Sequence, residues 1–115
     1  MKKTIFLLVL SVCAAFAAGV AGEWDATASF PNGKEYRVVI SLRESDGKLE
    51  GTVADDRGSV GLEDLKLEGT ELSFKATEGN GTFDVKLTVS ADSMKGSVKD
   101  PAGKMGTLVA VRPKT

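Results

Sequence analysis

EYRVVISLRESDGKLEGTV, residues 35–53, decides the fold. Tyr36, Val38, Ile40 and Leu42 alternate with Arg37, Ser41 and Arg43. That period of two puts the apolar set on one face of an extended chain and the polar set on the other. Ser45-Asp46-Gly47 interrupts the run with residues that tolerate positive φ, as a tight hairpin requires. Alternation then resumes, with Leu49, Gly51 and Val53 against Lys48, Glu50 and Thr52. This is a β-hairpin with one face turned to a core and one to water.

The same grammar extends in both directions. Upstream, Trp24, Ala26, Ala28 and Phe30 share a face. Downstream, Val60 and Leu62 lead into Leu65 and Leu67 with a slip of parity, which predicts a bulge near Glu63-Asp64. Further strands carry Leu72, Phe74 and Ala76; Phe83, Val85, Leu87 and Val89; and Met94, Gly96 and Val98. The last, Met105 to Arg112, is apolar on both faces, with Leu108 and Ala110 on one and Val109 and Val111 on the other. Between the strands lie Pro31-Asn32-Gly33, Asp55-Asp56-Arg57-Gly58, Glu68-Gly69-Thr70, Gly79-Asn80-Gly81, Ala91-Asp92-Ser93 and Asp100-Pro101-Ala102-Gly103. Such short connections make neighbouring strands antiparallel. No stretch after Gly22 has helical periodicity. The expectation is an all-β domain, an eight-stranded up-and-down barrel over residues 22–115.

An internal repeat supports that count. Tyr36-x-Val38-x-Ile40-x-Leu42 matches Phe83-x-Val85-x-Leu87-x-Val89, and Leu49-Glu50-Gly51-Thr52-Val53 matches Met94-Lys95-Gly96-Ser97-Val98. Gly58-Ser59-Val60-Gly61 matches Gly103-Lys104-Met105-Gly106, and Asn32-Gly33 matches Asn80-Gly81. Two four-stranded halves of about 46 residues would close on each other, since neither could bury its apolar face alone.

The first segment reads differently. Lys2 and Lys3 precede the uncharged apolar run Thr4 to Val12, and small residues follow from Cys13 to Gly22. That is the layout of a secretory signal peptide over residues 1–21, with cleavage within 17–22. The apolar run is too short to cross a bilayer core of about 30 Å. Ala15-Phe16-Ala17, Gly19-Val20-Ala21 and Val20-Ala21-Gly22 all offer small residues at the positions a signal peptidase reads. The product is expected to be secreted or periplasmic. The alternative is a lipid anchor on Cys13, because Leu10-Ser11-Val12-Cys13 is similar to a lipobox. Val12 suits that motif poorly, and no polar tether follows the cysteine.

Composition excludes several function classes. The chain has no histidine and one cysteine, Cys13, so Ser-His-Asp and Cys-His arrangements and most zinc sites are ruled out. Without Lys2 and Lys3 the balance is 13 basic to 16 acidic residues, which leaves no footprint for nucleic acid or an anionic surface. The adjacent pairs Asp55-Asp56 and Glu63-Asp64 would point to opposite faces of a strand and so form no catalytic dyad. Asp55, Asp56 and Asp100 are weak candidates for Ca²⁺, since the spacing of an EF-hand is absent. The expectation is a non-enzyme with no metal and no cofactor.

Gly22-Glu23-Trp24 at the start of the first strand and Arg112 at the end of the last resemble the calycin signature of lipocalins and their relatives. The rest of the chain, through Ala110-Val111-Arg112, resembles short secreted bacterial domains with a GxW start and LxGTV-like hairpins. The resemblance spans Gly22 to Lys114. It implies a barrel whose closed end holds Trp24 under the Arg112 guanidinium. Lipocalins proper are longer and usually carry a helix and disulfides, both missing after Gly22.

In a meander, the loops opposite Trp24 and Arg112 share one end. Asn32, Lys34, Asp55, Asp56, Arg57, Asn80 and Asp100 are therefore the candidate ligand loops. Ala26, Ala28, Gly51, Ala76 and Gly96 are small and inward, so they either leave a cavity or make room for Trp24, Phe30, Phe74 and Phe83. The shortness of the barrel favours a filled core. Three functions stay open: a binding module for a small apolar ligand, a module that engages a secreted protein partner as inhibitor or envelope accessory, and a structural domain. Oligomeric state is not legible.

Overall fold

The computed structural model describes residues 19–79 and 81–113. Residues 1–18, with Cys13 and most of the expected signal peptide over residues 1–21, lie outside the described residues, as does Asn80. Among those described, nine strands run β1 Gly22–Ser29, β2 Glu35–Ser45, β3 Lys48–Asp55, β4 Gly58–Gly61, β5 Glu63–Glu68, β6 Glu71–Glu78, β7 Gly81–Val89, β8 Ser93–Lys99 and β9 Met105–Val111. They form one antiparallel sheet in the order β4-β3-β2-β1-β9-β8-β7-β6-β5, curled into a nearly closed barrel.

Nine strands correct the expected eight, and the reason is local. The expected fourth strand divides at Leu62. Its first part, β4, pairs with β3, and its second part, β5, pairs with β6. Asp64 has φ of 51°, and the β5–β6 register shifts between Glu63 and Lys66, so the expected bulge is where the chain turns. Leu62 N–H still donates to Gly51 O at 2.9 Å. One bent segment thus serves both margins of the sheet, changing partner halfway, and brings β4 and β5 together at the seam.

The alternation read in the sequence is the alternation of burial. Trp24, Ala26, Ala28 and Phe30 are buried, as are Ile40 and Leu42, Leu72, Phe74 and Ala76, and Leu108 and Ala110. Among the described residues no polar or charged side chain is buried. Ser45 pairs with Lys48 across Asp46 and Gly47, whose φ values of 53° and 79° make the two-residue turn with matching twist.

Gly96 shows why a glycine interrupts an apolar face. A Cβ there would strike the Lys86 carbonyl oxygen and come within 2.8 Å of Leu87 Cα, so β7 and β8 approach only because the side chain is missing. Gly51 is similar, with Ser41 O at 2.6 Å from the would-be Cβ. These two inward glycines therefore serve strand approach and leave no space. The core also reaches ahead of β1: Val20 is only 2% exposed and belongs to the same cluster.

Candidate functional site

The strand order places the two ends of the barrel under different regimes. At the end holding Gly22 and Val111, Trp24 is fully buried, and Arg112 Cζ sits 3.9 Å from the centroid of its ring. Arg112 Nη1 donates to Ala21 O at 2.7 Å and Nη2 to Gly19 O at 2.8 Å. The Trp24 Nε1–H donates to Val20 O at 2.9 Å. A planar guanidinium suits this position because it can stack on the indole while its edge donates to two carbonyls. Gly22 adopts φ of 115°, and a Cβ there would lie 2.7 Å from Arg112 Nη1. Gly22, Trp24 and Arg112 therefore form one unit that shuts this end.

The opposite end is open. A cavity of about 700 Å³ enters the barrel from the loops. Its walls are apolar, with Ala28, Val38, Ile40, Val53, Phe74 and Ala76 on one set of strands and Val85, Val98 and Leu108 on the other. The filled core expected for so short a barrel is thus only half correct. Trp24, Leu72, Leu87 and Met94 fill the closed half. Towards the loops the inward positions of β1 and β6 carry only Ala28 and Ala76, so space remains between the walls.

Charged groups are confined to the mouth. Glu35, Arg37, Asp55, Asp56, Arg57 and Glu78 border the cavity. Asp55 Oδ1 accepts from the backbone N–H of Arg57 at 2.9 Å and of Gly58 at 3.2 Å, which shapes the β3–β4 turn. The Arg57 N–H bond, aided by the Arg57 charge, holds the Asp55 carboxyl below its ordinary value of 3.8, against the opposing pull of desolvation.

A second recess of about 510 Å³ lies between the β1–β2 and β8–β9 loops. Asn32, Lys34, Asp100, Pro101, Ala102 and Lys104 border it. Phe30, Tyr36 and Phe83 line both spaces, so they form an aromatic partition. Phe30 and Tyr36 meet edge to face, centroids 5.9 Å apart.

The candidate loop residues consequently fall into two groups. Asp55, Asp56 and Arg57 reach the main cavity, whereas Asn32, Lys34 and Asp100 reach the second recess. Asn80 lies outside the described residues. Asp100 is thus divided from Asp55 and Asp56, and among the described residues no group of three acidic side chains could hold a metal ion. Reading the loops alone missed Glu35 and Arg37, and it placed Glu78 at this end without singling it out. The signal for the first two is strand length: β2 pairs with β3 only from Val39 onward, so Glu35 to Val38 project past β3 as a lip.

No family model and no curated protein matches the chain. Solved structures do. A redesigned beta barrel, b11L5F_LGL, superposes with a TM-score of 0.70 at 16% identity, covering 85% of this chain and 95% of its own. A de novo designed fluorescence-activating beta barrel gives 0.63 at 20% identity, covering 84% and 96%. The redesigned barrel mFAP0, bound to DFHBI, gives 0.62 at 12% identity, covering 82% and 99%. At these identities the likeness is one of fold, a small antiparallel β-barrel.

Proposed function

We propose that this protein is an exported, non-catalytic binding module that takes one small apolar molecule into the open half of the barrel. The observation that carries the reading is the cavity of about 700 Å³, apolar inside and charged only at its mouth. That size and lining suit a small-molecule site, where an apolar body is buried and a few polar groups set its orientation. The ligand is an elongated or flat apolar molecule with a polar tip left at the rim, near Arg37 and Arg57. A barrel of similar fold is bound to a small ligand, DFHBI, which supports the use of such an interior in this way. The signature Gly22, Trp24 and Arg112 further supports a calycin-like lineage, and the matched motifs of the two halves support an origin by duplication. Export rests on the layout of residues 1–21, with the product secreted or periplasmic.

Emission from Trp24 would be a poor reporter, because the indole sits in the closed end and does not border the cavity. The test is titration with the apolar solvatochromic dye Nile red, followed through the dye and competed with a fatty acid. Saturable binding of one dye per chain is expected. The double variant Ala28→Leu/Ala76→Leu fills the cavity, so dye affinity should fall at least tenfold while the unfolding midpoint holds or rises. No saturable response in the parent, or undiminished binding in the filled variant, would overturn the reading.

A second reading, a module that docks a protein, has one observation in its favour. Met105, Val109 and Val111 are 52%, 40% and 45% exposed along the outer face of β9.

A further inference from the structure

Three consecutive carbonyls ahead of β1 are committed to the closed end. Gly19 O and Ala21 O accept from Arg112, and Val20 O accepts from the Trp24 indole. The Val20 side chain is itself in the core. The folded unit therefore includes residues that the sequence alone assigns to a leader. This constrains processing. Cleavage after Ala21 or Gly22 would remove Val20, leave the Trp24 N–H without its acceptor and strip Arg112 of both carbonyls. It would also create a new ammonium, on Gly22 or Glu23. For the first of these cuts the charge arises on the residue whose Cβ position lies 2.7 Å from Arg112 Nη1, in the neighbourhood of the guanidinium. Like charges held near each other repel. Of the three cleavage sites offered by the sequence, Ala15-Phe16-Ala17 is the one that lies wholly upstream of Gly19.

We infer that the bond between Ala17 and Ala18 is the processing site, and that the mature protein begins Ala18-Gly19-Val20-Ala21. The inference rests on the proposal that the chain is exported. The step is a peptide hydrolysis by a signal peptidase: water adds its hydroxyl to the Ala17 carbonyl carbon, the C–N bond breaks, and Ala18 leaves with a free amine. Retained in this way, residues 19–21 supply the lower plug of the barrel.

The full chain with its own leader is expressed in a Gram-negative host, recovered from the periplasm and analysed by intact mass and N-terminal sequencing. A mature chain beginning at Ala18 is the expected result. A folded periplasmic chain beginning at Gly22 or Glu23 overturns the inference while leaving export intact. A lipidated chain beginning at Cys13 overturns it as well. A chain that keeps Met1 and stays in the cytoplasm defeats the export proposal itself, which separates the two failures. The variant Ala15→Leu/Ala17→Leu should accumulate as membrane-held precursor; efficient processing after Ala21 to a product as stable as the parent would overturn the inference.

Discussion

Replacing Arg112 by alanine tests whether the closed end is stapled or merely covered. The guanidinium makes three contacts there: the stack on Trp24 at 3.9 Å, the bond to Ala21 O at 2.7 Å and the bond to Gly19 O at 2.8 Å. A half-buried cation–π contact contributes about 1–2 kcal/mol. The part-buried bond to Ala21 adds about 1 kcal/mol, and the solvent-exposed bond to Gly19 adds less. Arg112→Ala should therefore destabilise by about 3 kcal/mol, lowering Tm by roughly 10–20 °C for a domain of this size. Arg112→Lys keeps the charge but has neither a planar face nor a fork, so it should lose about half as much. Urea unfolding followed through Trp24 emission reads both variants, since this indole loses its buried environment when the barrel opens. The midpoint should shift with an unchanged m-value. If Arg112→Ala stayed within about 0.5 kcal/mol of the parent, the clamp would be a surface decoration. If Arg112→Lys matched the parent, charge alone would explain the site and the stacked fork would not.

Two further outcomes follow from the strands and turns. Gly96→Ala puts a methyl against the Lys86 carbonyl and should cost about 3 kcal/mol or prevent folding, whereas Gly61→Ala, with nothing within 4 Å of the new methyl, should stay within about 0.5 kcal/mol; matching urea midpoints would refute the close-approach argument. Asp55 ionises below its ordinary value of 3.8, so its stabilisation of the β3–β4 turn is present above that pH and is lost as pH falls through the lower folded value. The amide resonances of Arg57 and Gly58 should titrate with a midpoint below 3.8, and a midpoint at or above it would remove the turn bonds as the cause.

What was legible in the sequence is what depends on neighbours in the chain. Period-two alternation and positive-φ turn residues act over a few residues, so strand faces and hairpin tips could be read directly. The parity slip at Glu63-Asp64 was visible for the same reason. That the slip is also where the strand leaves β3 for β6 was not visible, because pairing is decided by partners far along the chain. The cavity was ambiguous on similar grounds. Ala28 pairs with Tyr36 and Leu108, and Ala76 with Phe83, and only the curl of the whole sheet determines whether such positions face bulk or space. Asn32 and Asp100 are separated from Asp55 by aromatic side chains that a loop-based reading ignores. Val20 was hidden by its setting, since small and apolar residues ahead of Gly22 read as leader whether or not they also fold.

The size of the cavity decides between a packing defect and a site. An enforced dry void costs about 24 cal/mol per Å³, so about 700 Å³ would cost about 17 kcal/mol. That exceeds the whole stability of an ordinary domain, about 5–15 kcal/mol. A sealed, empty hollow of this size is therefore excluded by energy alone, and the open mouth with its charged rim is what makes the hollow tolerable: water enters. Water against the half-buried Val38, Val53 and Phe83 is poorly satisfied, however, and any apolar solute that displaces it recovers burial the fold left unused. The closed half permits this arrangement, because Trp24, Leu72, Leu87 and Met94 are buried there and none of them borders the cavity. On the proposed function, stability and binding belong to opposite ends of one barrel, so substitutions at Arg112 should move unfolding far more than dye affinity, and those at Ala28 and Ala76 the reverse. Coupled losses at both ends would show that the two halves are a single cooperative core and that the hollow has no separate purpose.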